Sequence, residues 1–147
     1  MRILGLDLGT KSLGIAISDE LEIIASGLEN FNFKAYDYEA AYKRLDSIIE
    51  HYQVKLIVIG LPYHLHGEES KAVERVRKFS KILEKRVHLP IEEYDERWTT
   101  KIADSYMLEA DLSRKKRKEN IDKLSAVIIL QDYLDRRKQK WSMKNGN

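Results

Sequence analysis

The sequence predicts an α/β fold in which a mixed five-stranded sheet is flanked by helices. Three observations carry this. Within Met1–Ser18 two apolar alternating runs, Ile3–Leu8 and Leu13–Ile17, are joined by Gly9-Thr10-Lys11-Ser12, which reads as a β-hairpin. The apolar period then lengthens to helical spacing across Tyr38–Tyr52. Val54–Ile59 is a short unbroken apolar run, as expected of a strand covered on both faces.

Each element follows in order. Leu21–Leu28 reads as a third strand joined at Asp19-Glu20, which completes a meander. Ala41, Leu45, Ile48 and Ile49 recur at helical spacing and define a first helix over Tyr38–Tyr52. The fourth strand, Val54–Ile59, ends at Gly60-Leu61-Pro62, and a loop with His64, His66 and Gly67 leads into a second helix. Its apolar stripe is Val73, Val76, Phe79 or Ser80, and Leu83. Val87–Tyr94 reads as the fifth strand, ended by Asp95-Glu96-Arg97-Trp98, with Thr99 or Thr100 capping a third helix through Ile102, Ala103 and Tyr106. A basic loop and a last helix from about Ile121 to Arg137 follow, with Leu124, Ile128 and Leu134 inward. The order βββαβαβα, with a hairpin leading into parallel crossovers, gives the strand order 3-2-1-4-5. One domain over residues 1–137 is expected, with residues 138–147 as a flexible tail anchored only by Trp141.

Composition bounds the chemistry. The chain has 147 residues and no Cys, so disulfides and thiolate metal sites are excluded and any reaction must rest on carboxylates and imidazoles. No signal pattern and no apolar run of membrane-spanning length is present, so a cytoplasmic protein without membrane contact is expected. The net charge of +2 conceals an asymmetry: Ser113–Asn147 carries eleven Lys/Arg against four Asp/Glu, a net of +7. Its densest segment is Arg114, Lys115, Lys116, Arg117 and Lys118. Such a run attracts a phosphate backbone by counterion release, which makes nucleic acid the natural partner; a solvated loop that aids solubility is the alternative.

Asp7 stands inside an apolar strand, on the face of Ile3 and Gly5, while Leu4, Leu6 and Leu8 line the other. An ionised carboxylate there needs a metal ion, another cation or a hydrogen-bond cradle; capping of the Gly9–Lys11 turn is the alternative. With strand 1 central and parallel to strands 4 and 5, Asp7 and the acids closing strand 5 open toward the edge where α/β sheets bind ligands. Asp95 and Glu96 face opposite ways if the strand persists, so one of them serves; Glu96 is favoured and Asp95 is the alternative. Asp122, one turn before the small residues Ser125-Ala126, is a third acid that helix packing can bring close, although an acid early in a helix also suits the macrodipole. Oxygen-only ligands suit Mg²⁺ or Mn²⁺, and such a site hydrolyses phosphodiesters. Arg97 is either a structural partner of these acids or a phosphate contact, and Lys11 and Ser12 suit a phosphate at the turn. His64 and His66 lack a third nitrogen ligand and read as loop residues; His51 and His88 read as surface residues at element ends.

Taken together, DLGTKSLGIAIS from Asp7, Gly60-Leu61-Pro62 followed by Gly67, RVRKF at Arg75–Phe79, DERWTT at Asp95–Thr100 and IDKLSAVIILQDYL from Ile121 resemble the YqgF family over nearly the whole chain. That resemblance implies a fold like ribonuclease H and the RuvC-type Holliday junction resolvases. It also implies a nuclease that processes the 5′ end of precursor 16S rRNA. By position it makes Asp7, Glu96 and Asp122 the metal ligands and catalytic acids. True resolvases carry a glutamate at the end of strand 4, where this chain has Gly60-Leu61-Pro62, so the second ligand must come from strand 5. His64, Trp98 and Ser125 stand where asparagine, leucine and alanine are usual. The expected partners are precursor 16S rRNA, ribosomal particles or branched DNA, for a monomer or a homodimer. Competing expectations are a junction resolvase, which needs a symmetric dimer, and a non-catalytic RNA- or ribosome-binding module. Gly5–Thr10 also resembles the phosphate loop of the sugar kinase, chaperone and actin group, whose nucleotide sits between two domains.

Overall fold

A computed structural model describes residues 1–62, 70–96 and 114–144, the stretch 114–123 as backbone only. The strands are β1 (Arg2–Leu8), β2 (Ser12–Ser18), β3 (Ala25–Asn32), β4 (Val54–Leu61) and β5 (Ile91–Asp95); the helices are α1 (Tyr38–Tyr52), α2 (Lys71–Val87) and α3 (Arg114–Lys144). They form one five-stranded sheet in the expected order β3-β2-β1-β4-β5. β1 pairs antiparallel with β2 and parallel with β4, and β4 is parallel to β5.

The period of two in β1 sorts its side chains between two cores. Leu4, Leu6 and Leu8 join Leu13, Ile15, Ile17, Ile57 and Ile59 beneath α1 and α2, which contribute Leu45, Ile48, Val76, Phe79 and Leu83. Ile3 joins Ala16, Leu56 and Val58 beneath α3, which contributes Ala126, Ile129, Leu130 and Leu134. Asp37 and Ser70 cap α1 and α2 by accepting from the N–H groups of Ala40 and Val73, and left-handed Gln53 and His88 close both helices. Arg86 of α2 binds Asp46 and Glu39 of α1, and so ties the two helices across their exposed side.

Several boundaries differ from expectation. The third strand begins at Ala25, because Asp19 Oδ1 accepts from the Ile23 and Ile24 N–H groups at 2.7 and 2.9 Å and holds that apolar stretch in a loop. Leu21 is 76 % exposed there. The fifth strand begins at Ile91, since Val87 is the last residue of α2 and His88 is its cap. The basic segment Arg114–Lys118 is helical rather than a loop: α3 starts at Arg114, as the good helix propensity of Lys and Arg allows. The expected tail is also helical, through Lys144, and Trp141 is 60 % exposed on it. The inward stripe of α3 is Ala126, Ile129, Leu130 and Leu134, so Leu124 is only half-buried. The expected helix from Thr99 and the pair His64 and His66 lie outside the described residues. Among the described residues no helix is long and apolar enough to cross a membrane.

Candidate functional site

Asp7 lies near the C-terminal end of β1, half-buried, opposite Gly14 of β2. It shares the α3 face of the sheet with Ile3 and Gly5. The pairing of Leu6 with Ile59 on β4, continued by one residue, sets Asp7 beside Gly60, about 4.8 Å away in the direction of the ladder. Gly60 in turn pairs with Tyr94 of β5.

Glu96 follows β5 and folds back over Gly60. A Cβ added to Gly60 would stand 2.7 Å from Glu96 Cγ, 2.8 Å from Glu96 Cδ and 2.7 Å from Ile129 Cδ1 of α3. The end of the Glu96 side chain therefore occupies the space left by the missing side chain, on the face that carries Asp7. Asp95 pairs with Leu61, whose side chain belongs to the α1/α2 core, so its register position faces the other way. The register thus sets the two neighbouring acids on opposite faces, with Glu96, the one the sequence favours, on the face of Asp7.

The third acid is placed by helix packing. At Gly5 an added Cβ would lie 2.7 Å from Leu130 Cβ and 3.2 Å from the Ala126 carbonyl oxygen, so the backbone of α3 approaches the sheet closely here. Gln131, one residue further along α3, donates to the Ile23 carbonyl and accepts from the Ala25 N–H at the start of β3. α3 thus runs antiparallel to β1, and its N-terminal part extends toward the Asp7 end. Four residues of helix rise about 6 Å, and two residues of strand span about 6.6 Å. The backbone of Asp122 therefore stands at the level of Asp7; its side chain lies outside the described residues.

The turn after β1 is closed by the Gly9 N–H donating to the Ser12 carbonyl at 2.8 Å. Its other carbonyls hold the segment after β3: Lys11 accepts from the Phe33 N–H at 2.9 Å and Thr10 from the Tyr36 N–H at 2.8 Å. The Lys11 side chain is exposed at this edge. Arg97 lies outside the described residues, as do the side chains of Arg114, Lys115, Lys116, Arg117 and Lys118. His51 and His88 are exposed at the ends of α1 and α2, as expected.

The arrangement offers two carboxylates on one sheet face at the carboxyl edge of the parallel strands, with oxygen donors that suit a hard divalent cation. Among the described residues no three His, Asp or Glu side chains gather as a complete ligand set. Sequence reasoning did not foresee the parts played by the small residues Gly5 and Gly60. The signal was there, in glycines two residues before Asp7 and at the end of β4 in otherwise bulky strands.

Comparison with known proteins agrees with this architecture. The family model described as RuvX, Holliday junction resolvase, matches residues 1–136. A protein of Geobacillus sp. (strain WCH70) named "putative pre-16S rRNA nuclease" is 47 % identical over 135 residues, covering 92 % of this chain and 98 % of its own. One of the same name from Clostridium kluyveri is 48 % identical over 136 residues, with the same coverage. Among solved structures, T. thermophilus RuvC in complex with Holliday junction substrate superposes with a TM-score of 0.60 at 15 % identity, covering 93 % of this chain and 96 % of RuvC. The fowlpox virus resolvase bound to junction DNA gives 0.54 at 10 % identity, covering 92 % and 97 %. At such identities these two structures speak for a shared ribonuclease H-like fold.

Proposed function

The chain belongs to the RuvX family of Holliday junction resolvases, and on that premise we propose that it is a divalent-metal nuclease that trims the 5′ end of precursor 16S rRNA. The observation that carries this reading is the seating of Glu96 over Gly60, on the same sheet face as Asp7 and beneath α3.

Asp7, Glu96 and Asp122 are the acids that would hold Mg²⁺ or Mn²⁺. Carboxylates from a strand end, the residue after a second strand and a packed helix provide the few hard oxygen donors such ions use. When bound, the ion supplies Lewis-acid stabilisation of the phosphoryl, attacking and leaving oxygens. Through the ion they would hold, the carboxylates would place the scissile phosphate at the sheet edge, and one of them would accept the proton that water gives up as it adds to phosphorus. The P–O3′ bond would break with O3′ taking a proton from solvent, and no covalent link to the enzyme would form. Lys11 on the β1–β2 turn, Arg97 after Glu96 and Arg114–Lys118 at the start of α3 would bind neighbouring phosphates. The enzyme would work in the cytoplasm on precursor ribosomal particles, and a monomer suffices for a single cut.

The description of the matched family favours a second reading, cleavage of branched DNA by a symmetric dimer. One experiment separates the two. Wild type and Asp7→Asn are incubated with end-labelled precursor 16S rRNA and, separately, with a four-way DNA junction, each with and without Mn²⁺. Metal-dependent cutting of the RNA alone, lost in Asp7→Asn, is the expected result. Cutting of the junction alone selects the resolvase, and cutting of neither substrate selects a binding role.

A further inference from the structure

We propose that the cleft between Tyr36 and the N-terminal half of α2 is a subsite for single-stranded nucleic acid, in which Tyr36 stacks a base while Lys71, Arg75 and Lys78 hold the flanking phosphates. The cleft measures about 360 Å³ and is lined by these four residues together with Tyr38 and Glu74, among others. That volume is in the range of clefts that take small ligands, about 300–1,000 Å³. Among the described residues three cations against one acid line it, which suits a phosphodiester.

The position of Tyr36 links this cleft to the acid site. Its backbone N–H donates to the Thr10 carbonyl, three residues beyond Asp7, so its main chain is tied to the turn that ends β1. The cleft lies on the α1/α2 side of the sheet and Asp7 on the α3 side, so a strand leaving Asp7 would turn round the sheet edge past exposed Lys11 to reach Tyr36. The residue is 63 % exposed and its ring meets Tyr38 edge-on, with centroids 6.3 Å apart and planes at 81°. Such a contact occupies at most one ring face. Tyr36 also adopts φ 62°, in the left-handed region, at the third position of the turn closed by Asp37 N–H to Lys34 O. Glycine or asparagine is the usual residue there, and a bulky ring is held at a cost.

At the cleft Arg75 Nε is buried without a hydrogen bond among the described residues, and the Tyr38 hydroxyl lies beside the Arg75 guanidinium, which partly offsets the effect of burial on it. Burial, the main cause, raises the Tyr38 pKa, so its hydroxyl remains a proton donor at neutral pH. A phosphate oxygen would accept from both. Base stacking on an aromatic ring beside cations that track the backbone is the usual way of holding single strands.

The nucleic-acid class of the ligand rests on the proposed nuclease function, but the test does not depend on cleavage. The full chain is titrated, in EDTA, with a fluorescein-labelled single-stranded oligoribonucleotide of about twelve nucleotides, followed by anisotropy. Tyr36→Ala should weaken binding about tenfold, the value of one stacked base, and Tyr36→Phe should bind within about twofold of wild type. Arg75→Gln should lower the slope of log K against log salt by about 0.7, one phosphate on a single strand. Should Arg75→Gln fail to fold, the exposed Lys71→Gln and Lys78→Gln variants read the same slope. The same dependence on Tyr36 with single-stranded DNA also supports the subsite. Binding by Tyr36→Ala equal to wild type, with an unchanged thermal melt, would overturn it, as would a dependence on Tyr36 confined to duplex RNA. Loss of cleavage in Mn²⁺ is scored separately, so failure of the acid site leaves this result readable.

Discussion

At Gly60 one hydrogen in place of a methyl group lets Glu96 lie flat on β4, because an added Cβ would stand 2.7 Å from both Glu96 Cγ and Ile129 Cδ1. Both obstructing atoms belong to side chains rather than backbone, but Ile129 is fully buried, so Gly60→Ala should fold with a loss of about 1–3 kcal/mol. Glu96 would be displaced, and cleavage should fall on the order of 100-fold, as for loss of one charge-stabilising group. Urea unfolding together with single-turnover cleavage checks both halves. Asp19 gives a pH prediction at the same scale. Backbone donation from Ile24 and then Ile23 holds its pKa below the usual carboxylate value. Its contribution is therefore present above the unfolded-state pKa and is lost as pH falls through the lowered folded value. The stability gap between wild type and Asp19→Ala, read from urea midpoints, should be full at neutral pH and vanish in strong acid. Asp7 was legible in the sequence because an acid interrupts an apolar strand. The choice between Asp95 and Glu96 was only favoured, since it depends on register with Leu61 and on the space above Gly60.

Among the elements, α1, α2 and β4 were legible because their apolar period matches their burial over most of their length. β3 was not. Ile15 pairs with Glu29 but Ala16 with Gly27, so Leu28 is an extra residue that breaks the alternation of an edge strand. Leu21, Ile23 and Ile24 meanwhile supplied a false apolar signal from an exposed loop. The start of α3 was hidden by its charge, since a run of like charges reads as a solvated segment whatever its backbone does. α3 is held to the sheet at Gly5, where Leu130 Cβ and the Ala126 carbonyl leave no room for a side chain. Gly5→Val should accordingly cost about 1–3 kcal/mol by overpacking against helix backbone. Leu130→Ala, at a fully buried position, should cost about 2–5 kcal/mol by leaving a cavity. Chemical denaturation of the two variants measures both, and in each case movement of α3 should carry Asp122 away from Asp7 and lower cleavage.

Across the whole molecule, charge and topology serve the same edge. Five of the eleven cations of Ser113–Asn147 stand in Arg114–Lys118, where α3 begins beyond the Asp7 end of the sheet, and five more stand in Arg136–Lys144 at its other end. Replacing Arg114–Lys118 by glutamine should weaken RNA binding and flatten its salt dependence by about 0.7–0.9 for each phosphate no longer neutralised. Titrations from low to moderate salt measure the slope. The strand order and the two cores were legible because a meander followed by crossover units admits few topologies. The most direct test of the account compares single-turnover, Mn²⁺-dependent cleavage of precursor 16S rRNA by wild type, Asp7→Asn, Glu96→Gln and Asp95→Asn. The account predicts a loss of roughly 100-fold or more in Asp7→Asn and Glu96→Gln, with Asp95→Asn close to wild type. Full activity in Glu96→Gln, with the loss in Asp95→Asn instead, would contradict it.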